Sequence, residues 1–272
     1  MFVSSESFGT ANRLKYENIN CVAKNYDPKG VCGGGQAAQF TSFPQNAFIF
    51  VDTFVRVLKM AEKEKLYIAN DIEMAGPRVG VHSLLSWGAC VVTEEKFSKE
   101  ELLKKGLAYY DEVQPITWEY NEDAMRVGCL GLRCLDECQT LPAYNPRSEH
   151  FEPRLVLELL HRKGTHPMIA TLDFQKWIAH VGRGREIVPV VDTVFFDSAH
   201  ILYYFSQFSS HNPYGHAGID MDSFFRGYRK NMGATLGEAA QHIDRGVHHN
   251  SLDDAIFLAN ISREIIYNGA LA

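Results

Sequence analysis

The sequence predicts an α/β domain, a sheet with helices packed on both of its faces. Short apolar runs bounded by Gly and Pro, at Leu66–Ala69 and Leu84–Val92, read as buried strands. Apolar residues at helical spacing follow: Leu155, Val156, Leu159 and Leu160, then Ile169, Leu172, Phe174, Trp177 and Ile178. A further strand, Ile187–Val191, runs directly into another helix. Strands that come first and then alternate with helices bury their apolar faces best as one sheet covered on two sides.

Taken in order, residues 1 to about 45 are polar and Gly-rich, with Cys32-Gly33-Gly34-Gly35 as the clearest breaker. Residues 47–65 combine an apolar run with Lys59, Lys63 and Lys65, and are expected to form a helix leading into the core. Residues 1–65 are read as an N-terminal extension of unknown role and 66–272 as the main folded domain. Within that domain, Leu66–Ala69 and Leu84–Val92 form a hairpin around the loop Gly76-Pro77-Arg78-Val79-Gly80. Leu107–Val113 is a candidate third strand, whereas 118–150 carries no clear period. Ser198–Phe208 is expected to be helical. The last helix opens at Ser251 and stops near Asn268-Gly269, where the Asn-Gly pair terminates it.

Composition limits the function classes. Of the 272 residues, 46% are hydrophobic, enough for one sizeable core, and 22% are charged, which excludes a disordered chain. A net charge of −6 argues against a protein that coats long duplexes through a basic surface. It leaves room for an enzyme that takes a single strand end into a cation site, because bound cations supply positive charge locally. The first thirty residues hold no signal-peptide-like apolar run and the run Ala47–Val51 is far too short to span a bilayer, so a cytoplasmic location is expected. Cys21, Cys32, Cys90, Cys129, Cys134 and Cys138 are then expected to be free thiols. The spacing of Cys129, Cys134 and Cys138, with His150 or His161 nearby, fits no standard zinc motif.

Carboxylates stand at three points of this framework. Asp71 and Glu73, two residues apart, share one face at the end of a strand. Two such acids repel by ~1 to 4 kcal/mol at ~4 Å, so a cation between them is a natural partner and a solvated strand end the alternative. Asp197 sits where a strand turns into a helix and reads either as a ligand at a strand end or as an N-cap. Ser251 and Asp254 resemble a capping box with His249 on the loop before it. Asp254 is then a capping partner or a metal ligand, and His249 a surface residue or a general base, a task that suits its near-neutral pKa.

Together these blocks resemble the DEDDh 3′–5′ exonucleases of the ribonuclease H-like superfamily, the group of proofreading exonucleases and oligoribonuclease. The resemblance rests on Asn70-Asp71-Ile72-Glu73-Met74 with Leu84-Leu85-Ser86-Trp87-Gly88-Ala89, on Phe195-Phe196-Asp197, and on His249-Asn250-Ser251-Leu252-Asp253-Asp254-Ala255, in that order. Asn212-Pro213-Tyr214-Gly215-His216 is similar to a later segment of a bacterial and phage-type subgroup. The likeness spans about residues 66–268. Two departures stand out: Val191-Asp192-Thr193 replaces a His-Asn pair usual before the Phe-Asp block, and two histidines, His248 and His249, open the last motif. Only His249 has the family's separation from Asp254.

The resemblance implies a ribonuclease H-like fold with a mixed five-stranded sheet. It implies that Asp71, Glu73, Asp197 and Asp254 hold two Mg²⁺ or Mn²⁺ ions, ~3.5–4 Å apart, with His249 as general base. It implies hydrolysis of single-stranded nucleic acid or short oligonucleotides to nucleoside 5′-monophosphates. Met74, Leu84 and Phe196 would wedge against the terminal base, and His216 would shape the substrate pocket or a turn. Base stacking there would be worth ~1–3 kcal/mol per aromatic platform. The expected partners are 3′ ends of single-stranded RNA or DNA, with no membrane and with a homodimer as a candidate assembly. The alternative is an inactive nucleic-acid-binding or assembly module of the same fold. Asp253 is expected to be a solvated first-turn acid favoured by the helix dipole. Asp52 lacks the second acid of a D-x-E pair, and Asp220 and Asp222 alternate like a paired site that nothing yet places.

Overall fold

The computed structural model describes residues 64–240 and 242–267, without the side chains of Glu238 and Ala239. These residues lie in the second of two compact units, which begins at Met60. The helix expected over 47–65 and the rejected Asp52 fall outside them, apart from Glu64 and Lys65. Chain order is β1 (Lys65–Met74), β2 (Leu84–Val91), α1 (Lys99–Lys104), β3 (Ala108–Glu112), α2 (Glu122–Gly128), α3 (Pro153–Lys163), α4 (Pro167–Gly182), β4 (Glu186–Val191), α5 (Ala199–Phe208), β5 (Ile219–Asp220), α6 (Met221–Arg229) and α7 (Ser251–Ile266).

The five strands form one mixed sheet in the order β3-β2-β1-β4-β5, antiparallel from β3 to β1 and parallel from β1 to β5. This is the mixed ribonuclease H-like sheet that the sequence implied. Each central strand is apolar on both sides because each face is covered. On one face, Ala69, Cys90 and Val190 pack under Leu252, Ala255, Leu258 and Ile261 of α7. On the other, Ile68, Ile72 and Trp87 pack under Phe174 and Ile178 of α4 and Ile201 and Phe205 of α5. Each fully buried Leu, Ile or Phe contributes ~1.5–3 kcal/mol relative to exposure.

The unread stretch 118–150 has its own small core. Met125, Cys129, Leu132 and Leu135 pack with Ala75 and Leu85 from the hairpin and with Val156, Leu157 and Leu160 of α3. The cysteines of this region are free thiols; Cys129 is fully buried, and Cys134 and Cys138 are half-buried. Among the described residues no helix is long and apolar enough to cross a membrane.

Several boundaries move. β1 runs on through Met74, so Asp71 and Glu73 lie within its paired length, opposite Gly88 and Ser86, and the register breaks only between Glu73 and Met74. A π-helical turn, Val194–Ser198, precedes α5. α7 begins at Ser251, but its N-cap is Asn250, whose side chain accepts the Asp253 N–H; no capping box involves Ser251 and Asp254.

Candidate active site

Alternation along β1 turns Asp71 and Glu73 to the face covered by α7, the same face as Ala69. Whether α7 can deliver Asp254 to that face is decided by Gly88 on β2. A Cβ there would lie 2.0 Å from the Ser251 carbonyl oxygen, so only glycine admits the start of α7. The Ser86 and Ser251 hydroxyls hydrogen-bond at 2.9 Å beside this contact. Asp254 therefore enters the site from the first turn of α7, buried at 6% exposure.

The loop before α7 is latched to that turn. The Val247 N–H donates to Asp253 and the His249 N–H to Asp254 Oδ2, at 3.1 and 2.9 Å. Lys99 ion-pairs with Asp253 at 2.5 Å. Asp253 is thus not the solvated acid expected from sequence: it is 5% exposed and joins this loop, α7 and α1. Asn250 donates to the Gly131 carbonyl at 2.6 Å, and a Cβ on Gly131 would strike the His249 carbonyl oxygen at 2.4 Å. His249 itself sits at φ 61°, the left-handed region that L residues occupy at a cost. This pins its imidazole toward Glu73, with Nδ1 3.7 Å from Glu73 Oε1. His248 is exposed and lies against the His249 ring, centroids 3.8 Å apart.

Asp197 comes from the π-helical turn. Its Oδ2 accepts the Thr193 N–H at 3.2 Å, reaching back along the turn rather than capping α5. Asp220 holds the same turn by accepting the Val194 N–H at 2.9 Å while it caps α6. Asp222 is engaged by Arg226 at 2.6 Å, so the alternating pair Asp220 and Asp222 serves structure.

These carboxylates perturb one another. Burial, then Glu73, Asp197, Asp254 and Asp192, hold the Asp71 carboxyl well above the usual carboxylate range. Burial pushes Glu73 up to about 7 against the pull of His249, and Asp197 up to about 7 against its Thr193 hydrogen bond. The Glu73 carboxylate raises His249 above the ordinary imidazole value, outweighing the opposing effect of burial. The Asp71 carboxyl has neither a hydrogen bond nor an ion pair with another described residue. The acids outnumber the cations against them, and one ligand atom each from Glu73, His249 and Asp254 lie within 4.8 Å of one another. Two carboxylate oxygens and an imidazole nitrogen at that separation could hold a divalent metal ion, which would bind the ionised acids and offset their repulsion; Asp71 and Asp197 are not within that group.

The apolar residues expected to contact a base are placed differently. Met74 and Leu84 are 3% and 2% exposed and belong to the core under α4 and α5. Phe196 is half-buried at the edge of that core, with its ring against His200. His216 is exposed and lines a cavity walled by Pro189, Val191, Ile201 and Tyr214. Asn212 folds its own loop, accepting the Tyr214 N–H and donating to the Gly215 carbonyl. Sequence reasoning missed Phe195, 90% exposed two residues before Asp197, and passed over Asp192, which with Arg245, Asp71 and Asp254 lines one cavity. The Asp replacing the usual His-Asn pair was the available signal for Asp192. An aromatic beside a candidate ligand was the signal for Phe195.

No protein-family model matches the chain. It is similar to the 3′–5′ DNA exonuclease Cap18 of Escherichia coli, with 27% identity over 212 residues covering 76% of this chain and 94% of that protein. The nuclease domain of 3′hExo, a DEDDh family member bound to rAMP, has the same fold with a TM-score of 0.53 and 12% identity, over 77% of this chain and 94% of that one. The zinc-bound E. coli ExoI–ssDNA complex matches at a TM-score of 0.52 and 10% identity, over 77% of this chain and 42% of that one. With the acidic blocks in order on a mixed five-stranded sheet, the chain is similar to a 3′–5′ exonuclease along most of its length and shares the fold of a DEDDh nuclease domain.

Proposed function

We propose that the chain removes nucleotides one at a time from the 3′ end of single-stranded nucleic acid or short oligonucleotides, releasing nucleoside 5′-monophosphates. Single-stranded DNA is the first substrate to test, because the relative of 27% identity is by name a DNA exonuclease. The observation that carries this reading is the convergence of four buried or half-buried carboxylates from β1, the π-helical turn and α7 on the side of His249.

In this reading Asp71, Glu73, Asp197 and Asp254 hold two Mg²⁺ or Mn²⁺ ions. When bound, two such ions supply activation of water and charge stabilisation at the leaving 3′ oxygen. The chain's own groups do the rest. Glu73 faces Nδ1 of His249 and orients the ring, which leaves Nε2 to take the proton from the attacking water. The strained backbone at His249 and the Asn250–Gly131 bond hold that ring in place before substrate arrives. Phe195, exposed beside Asp197, offers a flat apolar surface on which a base can stack without reading its identity.

The test is digestion of matched end-labelled DNA and RNA oligonucleotides carrying a 3′ hydroxyl or a 3′ phosphate, in Mg²⁺, Mn²⁺ or EDTA. The expected result is a ladder of 5′-mononucleotides from the free 3′ hydroxyl, resistance of the 3′ phosphate, and silence in EDTA. Full activity in EDTA, or equal cutting of a circular single strand, refutes the reading.

A further inference from the structure

Among the Lys and Arg side chains of the described residues, Arg245 is the one that makes a direct ion pair with any of the four carboxylates. Its Nε donates to Asp254 Oδ1 at 2.7 Å. Its guanidinium lies 5.1 Å from the ring centroid of Phe257, one turn further along α7. The other oxygen of Asp254 is already engaged by the His249 N–H. Each oxygen of Asp254 thus has a donor in this arrangement, while the carboxyl of Asp71, on the wall of the same cavity, has none.

Two consequences follow from that asymmetry. The orientation of Asp254 does not depend on Arg245, because the backbone bond from His249 and the helix itself fix it. The charge does depend on it. A guanidinium cannot be deprotonated, so a divalent cation that uses Asp254 Oδ1 must approach against a fixed positive charge or displace it. The Arg245 side chain is 45% exposed, against 6% for its partner, so it can swing away without opening the core.

We propose that Arg245 is an in-chain placeholder cation: it neutralises Asp254 in the cation-free protein and competes with the divalent ion for that carboxylate. The role is one of positioning and gating rather than chemistry. It rests on the cation site proposed above. It sets the affinity at which the site fills, so that the acids are shielded when the ion is scarce and released when it is abundant.

The experiment is calorimetric titration of the full chain with Mn²⁺ alone, without nucleic acid, for the wild type, Arg245→Lys and Arg245→Met. Methionine keeps an apolar stem against Phe257 and removes the charge. The expected result is that Arg245→Met binds Mn²⁺ about tenfold more tightly, the size of one nearby unit charge removed in a partly solvated site. Arg245→Lys should fall between the two, and the melting temperature of Arg245→Met in EDTA should drop. Equal or weaker Mn²⁺ binding by Arg245→Met overturns the placeholder role while leaving the cation site intact. Absence of Mn²⁺ binding in the wild type overturns the site and the placeholder together. If Arg245→Met did not fold by circular dichroism, Arg245→Gln, which also removes the charge, decides in its place, with unchanged affinity counting against the proposal.

Discussion

Removing divalent cations should make this protein less stable as pH rises through neutrality, the reverse of the usual carboxylate behaviour. Glu73 and Asp197 ionise at about 7 in the fold, against ordinary values of 4.5 and 3.8. Between the ordinary and the raised value the folded state binds a proton that the unfolded state has lost, so stability falls as pH increases. Each pKa unit is 1.36 kcal/mol. The penalty, complete above pH 7, is then about 3 kcal/mol for Glu73 or about 4 kcal/mol for Asp197. The two carboxylates repel each other, so these figures do not add. His249 acts in the same direction: its raised value contributes stability at acid pH that is lost as pH climbs through it. Part of that penalty is already incurred below pH 5; for a domain of this size 1 kcal/mol moves the melting temperature by ~2–4 °C, which predicts a fall of about 5–10 °C between pH 5 and pH 8 in EDTA. The assay is thermal melting in EDTA across that range, repeated in saturating Mn²⁺, and repeated with Asp197→Asn. Saturating cation should remove most of the fall, because it binds only the folded, ionised form. Asp197→Asn should flatten the EDTA curve and exceed the wild type at pH 8. A melting temperature that is flat or rising with pH in EDTA would refute the reasoning, as would an Asp197→Asn curve as steep as the wild type.

Asp254→Ala should abolish both turnover and tight binding of Mn²⁺. His249→Ala should keep Mn²⁺ binding and lose ~10²–10⁴-fold in kcat. His248→Ala should be mild, because that ring is exposed and Glu73 faces its neighbour; a crippling His248→Ala with a mild His249→Ala would reassign the base. Gly88→Ala places a Cβ 2.0 Å from the Ser251 carbonyl oxygen. It should cost more than the ~1–3 kcal/mol typical of overpacking, and it should lower activity even where the chain still folds, since α7 carries Asp254. Wild-type melting and cleavage in that variant would show that α7 does not need the close approach.

Much of this architecture could be read from local pattern. The strand Leu66–Ala69, its hairpin partner Leu84–Val92, the strand before Asp197 and the last helix each bury a face whose period is written in consecutive residues, so they were legible without neighbours. Asp71 and Glu73 differ by one strand period and so share a face, whereas Asp197, His249 and Asp254 were picked out by the likeness of their segments to the family's motifs. What no local window contains is the partner across the fold. Asp253 looked solvated until Lys99 and the Val247 N–H came to it. Met74 and Leu84 looked available for a base until α4 and α5 covered them. Asp192 and Arg245 carry no period at all, and they join the site only because a loop and a strand end meet beside α7. The glycines at 88 and 131 look like any others until a backbone from more than a hundred residues away lies against them. Sequence alone determined which residues could form the elements and which acids share a face. Tertiary structure decided which charges meet, because burial and Coulomb interactions depend on distance in space and not on separation along the chain.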